Sequence, residues 1–129
     1  TGNLDRACDL IARAPKDFAL YTGDDMTAVA TISLGFHGDI SVTANVAPRL
    51  MHEMCVAAAS GNIVKAREIH FKLLGLHRDL FCEANPIPVK WAVEKLGLMP
   101  GGIRLPLTPL SEANQGRVLA AMRLAGVIA

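Results

Sequence analysis

The chain has 129 residues, enough for one modest domain with a core of its own. Its 13 basic and 12 acidic residues give a net charge of +1 and form no run of like charge, which argues against nucleic acid as a partner. No apolar stretch is long enough to span a bilayer, and no charged-then-apolar start argues for export.

Hydrophobic residues make up 51% of the chain and aromatics only 5%. That surplus is alanine, valine, isoleucine and leucine, the residues of helix packing and buried parallel strands. Cys8, Cys55 and Cys82 are odd in number and widely spaced. Free thiols in a reducing cytoplasm are the expectation. The chain starts at Thr1 rather than Met and enters a helix pattern almost at once. A processed or truncated start accounts for both.

In chain order, Asn3 is placed to cap a helix carrying Leu4, Ala7, Cys8 and Ile11, which Pro15 stops. Phe18 to Thr22 reads as a short strand ending at Gly23-Asp24-Asp25. The two aspartates could pass for a catalytic carboxylate pair, but they directly precede a helix pattern, so capping is the reading preferred. Met26 to Leu34 continues as helix, and Gly35 and Gly38 bracket a turn. Ile40 to Thr43 is then expected as a second strand, apolar enough to be buried on both faces.

The clearest helix carries Ala47, Leu50, Met51, Met54, Cys55 and Ala58 on one face and closes at Gly61. Asn62 caps the next, with Ala66, Ile69, Leu73, Leu76 and Leu80 in step. Asn85-Pro86-Ile87-Pro88 interrupts, and Pro88 opens a helix with Val89, Ala92, Val93 and Leu96 that ends at Gly97. After a Pro/Gly-rich stretch, Ser111 is a good cap for a last helix carrying Val118, Leu119 and Met122 and ending around Gly126. The order is α-β-α-β-α and then three helices. Strands alternating with helices imply a parallel sheet, and two short parallel strands cannot make one alone. Further strands are therefore expected outside the 129 residues.

Metal binding is not expected. His70 and His77 are seven residues apart on one helix, about 10 Å along its axis. Ligand bonds of about 2 Å cannot span that. His52 and Cys55 stand at i, i+3 without a third ligand nearby. Trp91 is read as a packing residue. A reactive amine at the mouth of a barrel is also missing. Lys16 precedes a strand, and Lys65, Lys72, Lys90 and Lys95 fall in predicted helices.

The segment Asn85-Pro-Ile-Pro-Val-Lys-Trp-Ala-Val-Glu-Lys-Leu-Gly-Leu98, followed by Arg104-Leu-Pro-Leu-Thr-Pro-Leu110, resembles the C-terminal helices of dihydrodipicolinate synthases. Gly23-Asp-Asp25 and Gly38-Asp-Ile-Ser-Val-Thr-Ala-Asn45 look like that family's seventh and eighth barrel strands. Thr1-Gly-Asn-Leu4 looks like the end of its sixth-strand motif Lys-Glu-Ala-Thr-Gly-Asn-Leu. The resemblance covers the whole chain, a little under half of a family member.

It implies an α/β fold, the C-terminal part of a (β/α)8 TIM barrel over residues 1–61, with a three-helix extension over residues 62–129. It also implies a homotetramer. The implied activity is that of a lyase of the diaminopimelate and lysine pathway. A lysine three positions before Thr1 would form a Schiff base with pyruvate, and the enamine would attack aspartate-4-semialdehyde to give 4-hydroxy-tetrahydrodipicolinate. No metal or organic cofactor is implied. The family's tyrosines, threonine, substrate-binding arginine and lysine-inhibitor site would all lie upstream, so no catalytic residue is expected in this segment. Gly23 and Ile40 match pyruvate-pocket positions: Gly23 through close backbone approach, Ile40 through its carbonyl. Taken by themselves, Gly23 is a turn glycine and Ile40 a buried strand residue. Two alternatives stay open: another pyruvate aldolase of the N-acetylneuraminate lyase type, and a non-catalytic helical interaction module drawn from the second half.

Overall fold

A computed structural model describes residues 1–129. Helix α1 (Leu4–Arg13) starts where the Asn3 side chain accepts the Arg6 amide. Strand β1 is short, Tyr21–Thr22, and leads through a 3-10 turn (Asp25–Thr27) into α2 (Ala28–Leu34). Strand β2 is Gly38–Asp39, followed by a second 3-10 turn, Thr43–Asn45. Four helices complete the chain: α3 (Pro48–Ala59), α4 (Ile63–Asp79), α5 (Ile87–Lys95) and α6 (Glu112–Ala125).

The two strands are adjacent and parallel, with Tyr21 opposite Gly38 and Thr22 opposite Asp39. The pairing extends past both ends: the His37 amide donates to the Leu20 carbonyl at 2.7 Å, and the Ile40 amide to that of Thr22 at 2.8 Å. Side chains alternate across the pair. Thr22 is buried against the helices, whereas Tyr21 is 54% exposed. Its ring lies over Gly38, where an added Cβ would come within 3.2 Å of Cε1. Gly38 is thus a strand residue that makes room for an aromatic ring, not the end of a turn.

The second strand corrects the sequence-based expectation. Ile40 to Thr43 is not a strand buried on both faces. Ile40 is 72% exposed, on the bare side of the pair, and Thr43 lies fully buried in the 3-10 turn. Apolar composition signals burial only when something covers the face, and here one face of the pair is uncovered.

The helices carry most of the packing. The larger core runs through α3, α4, α5 and α6, from Met51 and Met54 through Leu73, Leu76 and Leu80 to Val118 and Met122. A smaller core joins Ala7 of α1 and Ile32 of α2 to Ala57, Ala58 and Ala66. Helix α3 contributes to both. Helix α6 packs on α4 and α5, and approaches α4 closely at Gly75, where a Cβ would meet that of Ala121 at 3.1 Å.

Caps follow the sequence with one exchange. The Asn62 side chain accepts the Lys65 amide, and Gly126 takes the left-handed conformation after α6 with φ 71°. Ser111 stands at the cap position of α6, but its side chain makes no capping bond. Its amide, its hydroxyl and the Asn114 amide group all donate to one Glu83 oxygen from the α4–α5 link. A carboxylate there also meets the positive end of the helix dipole.

Leu73 is fully buried in the α4 seam. Replacing it with Ala should lower the urea-unfolding free energy of the intact protein by about 2–5 kcal/mol through lost contacts and a residual cavity. A change near zero would mean that this face of α4 does not pack as described.

Candidate functional site

Gly23 and Ile40 follow directly on β1 and β2, so the parallel register brings them side by side. A Cβ added at Gly23 would lie 3.9 Å from the Ile40 carbonyl oxygen, the nearest non-neighbouring heavy atom. Backbone at Gly23 and carbonyl at Ile40 therefore form one continuous surface at the C-terminal ends of the strands. Gly23 also lines a recess with Asp24, Asp25 and Met26, closed by His77, Arg78 and Phe81; Ile40 is not part of it.

None of the five lysines is among the residues that line the recess at Gly23. Lys16 is exposed in the turn after α1. Lys65 reaches Glu68 at 3.6 Å, and the Lys95 Nζ lies 5.1 Å from the centre of the Trp91 ring. Lys72 runs against Gly126, and Lys90 faces a surface hollow with Val42, Asn45 and Asn85. Trp91 itself is 9% exposed and belongs to the core.

Behind the strand ends lies a buried polar chain that the sequence reading did not find. Asp24 is a cap as expected: its carboxylate accepts from the Thr27 amide and hydroxyl at 3.1 and 2.6 Å. Asp25 is not. It is 3% exposed, and its Oδ2 accepts both the amide and the hydroxyl of Thr43 at 3.0 Å each. The Thr43 oxygen lies 2.9 Å from Nδ1 of His77, which is 1% exposed. Since the Thr43 proton points to Asp25, the same oxygen accepts from an Nδ1–H. His77 is then the neutral tautomer with a free lone pair on Nε2, an atom that is buried without a partner.

The next carboxylate is Asp39, paired with Thr22 across the strands. Both its oxygens, and Oδ1 of Asp25, are buried and have no donor. Burial, then the hydrogen bond to Asp25 and the charges of Asp25 and Asp24, push Asp39 up to about 8. For Asp25, burial works in the raising direction, but the Asp39 and Ser41 side chains and the Thr43 amide outweigh it and leave the group below its ordinary value. Burial takes His77 down to about 4, against the opposing pull of Asp25. The Cys55 thiol on α3 is raised by burial and then by Asp39 and Asp25. An aspartate inside an otherwise apolar Gly-Asp-Ile segment was the available sequence signal: a buried carboxyl needs a partner.

His70 and His77 stand two turns apart on α4, as expected, but their rings approach more closely than that rise suggests, with centres 5.1 Å apart and planes 31° apart. No third ligating side chain joins them, and no group of three or more His, Cys, Asp or Glu residues could hold a metal ion. No helix is long and apolar enough to cross a membrane. The parallel strand pair is itself an observation that a purely helical module does not account for.

The dihydrodipicolinate synthetase family model matches residues 1–125. A 4-hydroxy-tetrahydrodipicolinate synthase of Dechloromonas aromatica is 90% identical over all 129 residues, which cover 44% of that protein. One from Aromatoleum aromaticum is 74% identical over 98% of this chain, again 44% of its own length. Among solved structures, the chloride-inhibited dihydrodipicolinate synthase of Acinetobacter baumannii, complexed with pyruvate, superposes with a TM-score of 0.95 at 46% identity. The match covers 99% of this chain and 44% of that one. The Aquifex aeolicus enzyme gives 0.94 at 38% identity, covering 98% and 43%. The chain thus spans a little under half the length of the relatives it matches.

The two displaced groups set a pH profile for stability. Asp39 keeps a proton up to about 8 that the unfolded chain releases near 3.8, so its contribution declines as pH rises across that window. His77 refuses, down to about 4, a proton that unfolded histidine takes up near 6.5, so its contribution declines as pH falls across that narrower window. The two oppose below 6.5, and only Asp39 acts from 6.5 to about 8. Thermal unfolding of the intact protein should show a near-plateau on the acid side of 6.5, then a fall that levels off above about 8. A midpoint that rises steadily from 6.5 to 8 would contradict the assignment of these groups.

Proposed function

The chain belongs to the dihydrodipicolinate synthetase family, and on that premise we propose that it is the C-terminal part of a 4-hydroxy-tetrahydrodipicolinate synthase. In this reading β1 and β2 are the seventh and eighth strands of a (β/α)8 barrel. Residues 1–61 complete the barrel and residues 62–129 form its helical extension, the two parts sharing the core that runs from α3 into α4. The observation that carries the reading is the bare face of the strand pair. It presents Tyr21, whose ring covers Gly38, and Ile40, while the other face is closed by helices. A parallel sheet is stable with both faces covered, and the interior of a closed barrel covers this one.

Chemistry belongs at the C-terminal ends of such strands. There the Gly23 backbone and the Ile40 carbonyl form the floor of a pyruvate pocket, with no Cβ at Gly23 to keep the ligand away. A lysine three positions upstream of Thr1, on the sixth strand, supplies the amine. It condenses with the pyruvate carbonyl, losing water, to form an imine. Loss of a methyl proton gives the enamine, whose carbon attacks the aldehyde of aspartate-4-semialdehyde. Transimination by the substrate's own amine then closes the ring as 4-hydroxy-tetrahydrodipicolinate and frees the lysine. None of these steps calls for a metal or an organic cofactor. A homotetramer working in the cytoplasm completes the proposal.

Borohydride reduction in the presence of pyruvate tests it. A chain extended upstream to the length of the relatives should gain the mass of one reduced pyruvate adduct on the lysine before Glu-Ala-Thr1. The 129-residue segment alone should gain none. Near-stoichiometric labelling of Lys16, Lys65, Lys72, Lys90 or Lys95 would place the nucleophile elsewhere. A folded, extended protein with no adduct would end the lyase reading.

A further inference from the structure

Asp25 and Asp39 flank the Gly23–Ile40 surface from behind. Asp25 is two residues after Gly23 and Asp39 one before Ile40, and strand alternation turns the Asp39 side chain away from the face that Ile40 occupies. The two carboxyl groups act on each other's hold on the proton, and three of their four oxygens are buried without any N–H or O–H donor. Two carboxylates in contact cannot both be ionised there, since each unpaired buried charge carries a heavy desolvation cost and the two repel.

We propose that Asp25 and Asp39 share one proton, and that this carboxyl–carboxylate bond positions the wall formed by Gly23 and Ile40. Asp39 carries the proton and donates it to Oδ1 of Asp25. Asp25 keeps the single negative charge of the pair, and its Oδ2 keeps both bonds from Thr43. Three of the four oxygens then take part in hydrogen bonds, and the last is a neutral carbonyl, far cheaper to bury than a carboxylate. The bond crosses from the segment after β1 to the end of β2, so it clamps the two strand exits at the point where the ladder stops.

In the full-length protein the surroundings supply no competing cation: on the β1 side stands Asp24, whose charge raises Asp39 further, and the Thr1 nitrogen is part of a peptide bond there. From α3 the Cys55 thiol contacts the Asp39 backbone, and from α4 comes the buried, neutral His77. Above about 8 the shared proton leaves and the clamp becomes a repulsion between two carboxylates. The positioning half of the proposal rests on the reading of Gly23 and Ile40 as the pyruvate pocket; the shared proton does not.

The test uses the full-length protein in two arms. In the first, infrared spectra of protein labelled with 13C-aspartate, without pyruvate, should show a protonated carboxyl band at pH near 7 that titrates away around 8. The band should be missing from both Asp39→Asn and Asp25→Asn, because an amide donates to the remaining carboxylate and no proton is shared. In the second, the pyruvate KM of the wild type should rise several-fold between the neutral and alkaline ends of that titration. Asp39→Asn should flatten this rise, whereas Asp39→Leu, which donates nothing, should raise KM throughout. A missing acid band, a band that persists in Asp39→Asn, or an alkaline response that depends on which alkali cation is present would overturn the shared proton. Parallel KM profiles for wild type and Asp39→Asn would overturn the positioning role. A protein that never traps pyruvate would remove the lyase reading instead, leaving the infrared result to stand by itself.

Discussion

Thr43 is bonded on both sides in a place that water does not reach. Its amide and hydroxyl donate to Asp25, and its oxygen accepts from His77. That one residue joins the exit of β1, the turn after β2 and the last turn of a long helix. Neither strand is long enough to define its own position, since two ladder residues fix little backbone against the entropy of a flexible chain. What holds the strand ends is the helix layer behind them, and the hold is transmitted through this chain of polar atoms. Removing the threonine hydroxyl would leave a buried carboxylate and a buried imidazole each short of a partner, a costlier change than its size suggests.

Much of the helical architecture was legible in the sequence because helical order is local. The stepping of Ala66, Ile69, Leu73, Leu76 and Leu80 identifies a buried face without knowledge of what covers it, and all five are buried. Asn3, Asn62 and Gly126 act within a turn of their own position and fall where the sequence puts them. The strands were harder for the opposite reason. Whether Ile40 is buried depends on a face whose covering is not in the chain. A composition rule assigns it to the interior, while the structure leaves it open.

The candidate site divides in the same way. Gly23 and Ile40 were singled out by resemblance, and the parallel register sets them side by side at the strand ends. The polar chain behind them was not legible, because its contacts are long-range: Asp25 to Thr43 spans 18 residues and Thr43 to His77 spans 34. Asp25 stands one position past the cap, at the first residue of the 3-10 turn, and its carboxylate is taken up by Thr43. His77 reads as one more residue on a helix until it is seen that the core encloses it beside Leu73, Leu76 and Leu80. Buried polar groups find partners wherever the fold supplies them, and sequence distance says nothing about which.

The Glu83 cap of α6 gives the chain a direction of assembly. The group that closes the start of the last helix lies 28 residues earlier, in the link between α4 and α5. During synthesis it emerges before Ser111 does, after α3 and α4, which pack on each other, although their shared core is completed only by α5 and α6. The last helix therefore follows an acceptor already made, and can dock in register as its first turn forms. An ordinary cap on Ser111 itself would stabilise the helix equally well but would carry no information about where it belongs. Borrowing the cap from upstream makes the start of α6 stable only in its native place.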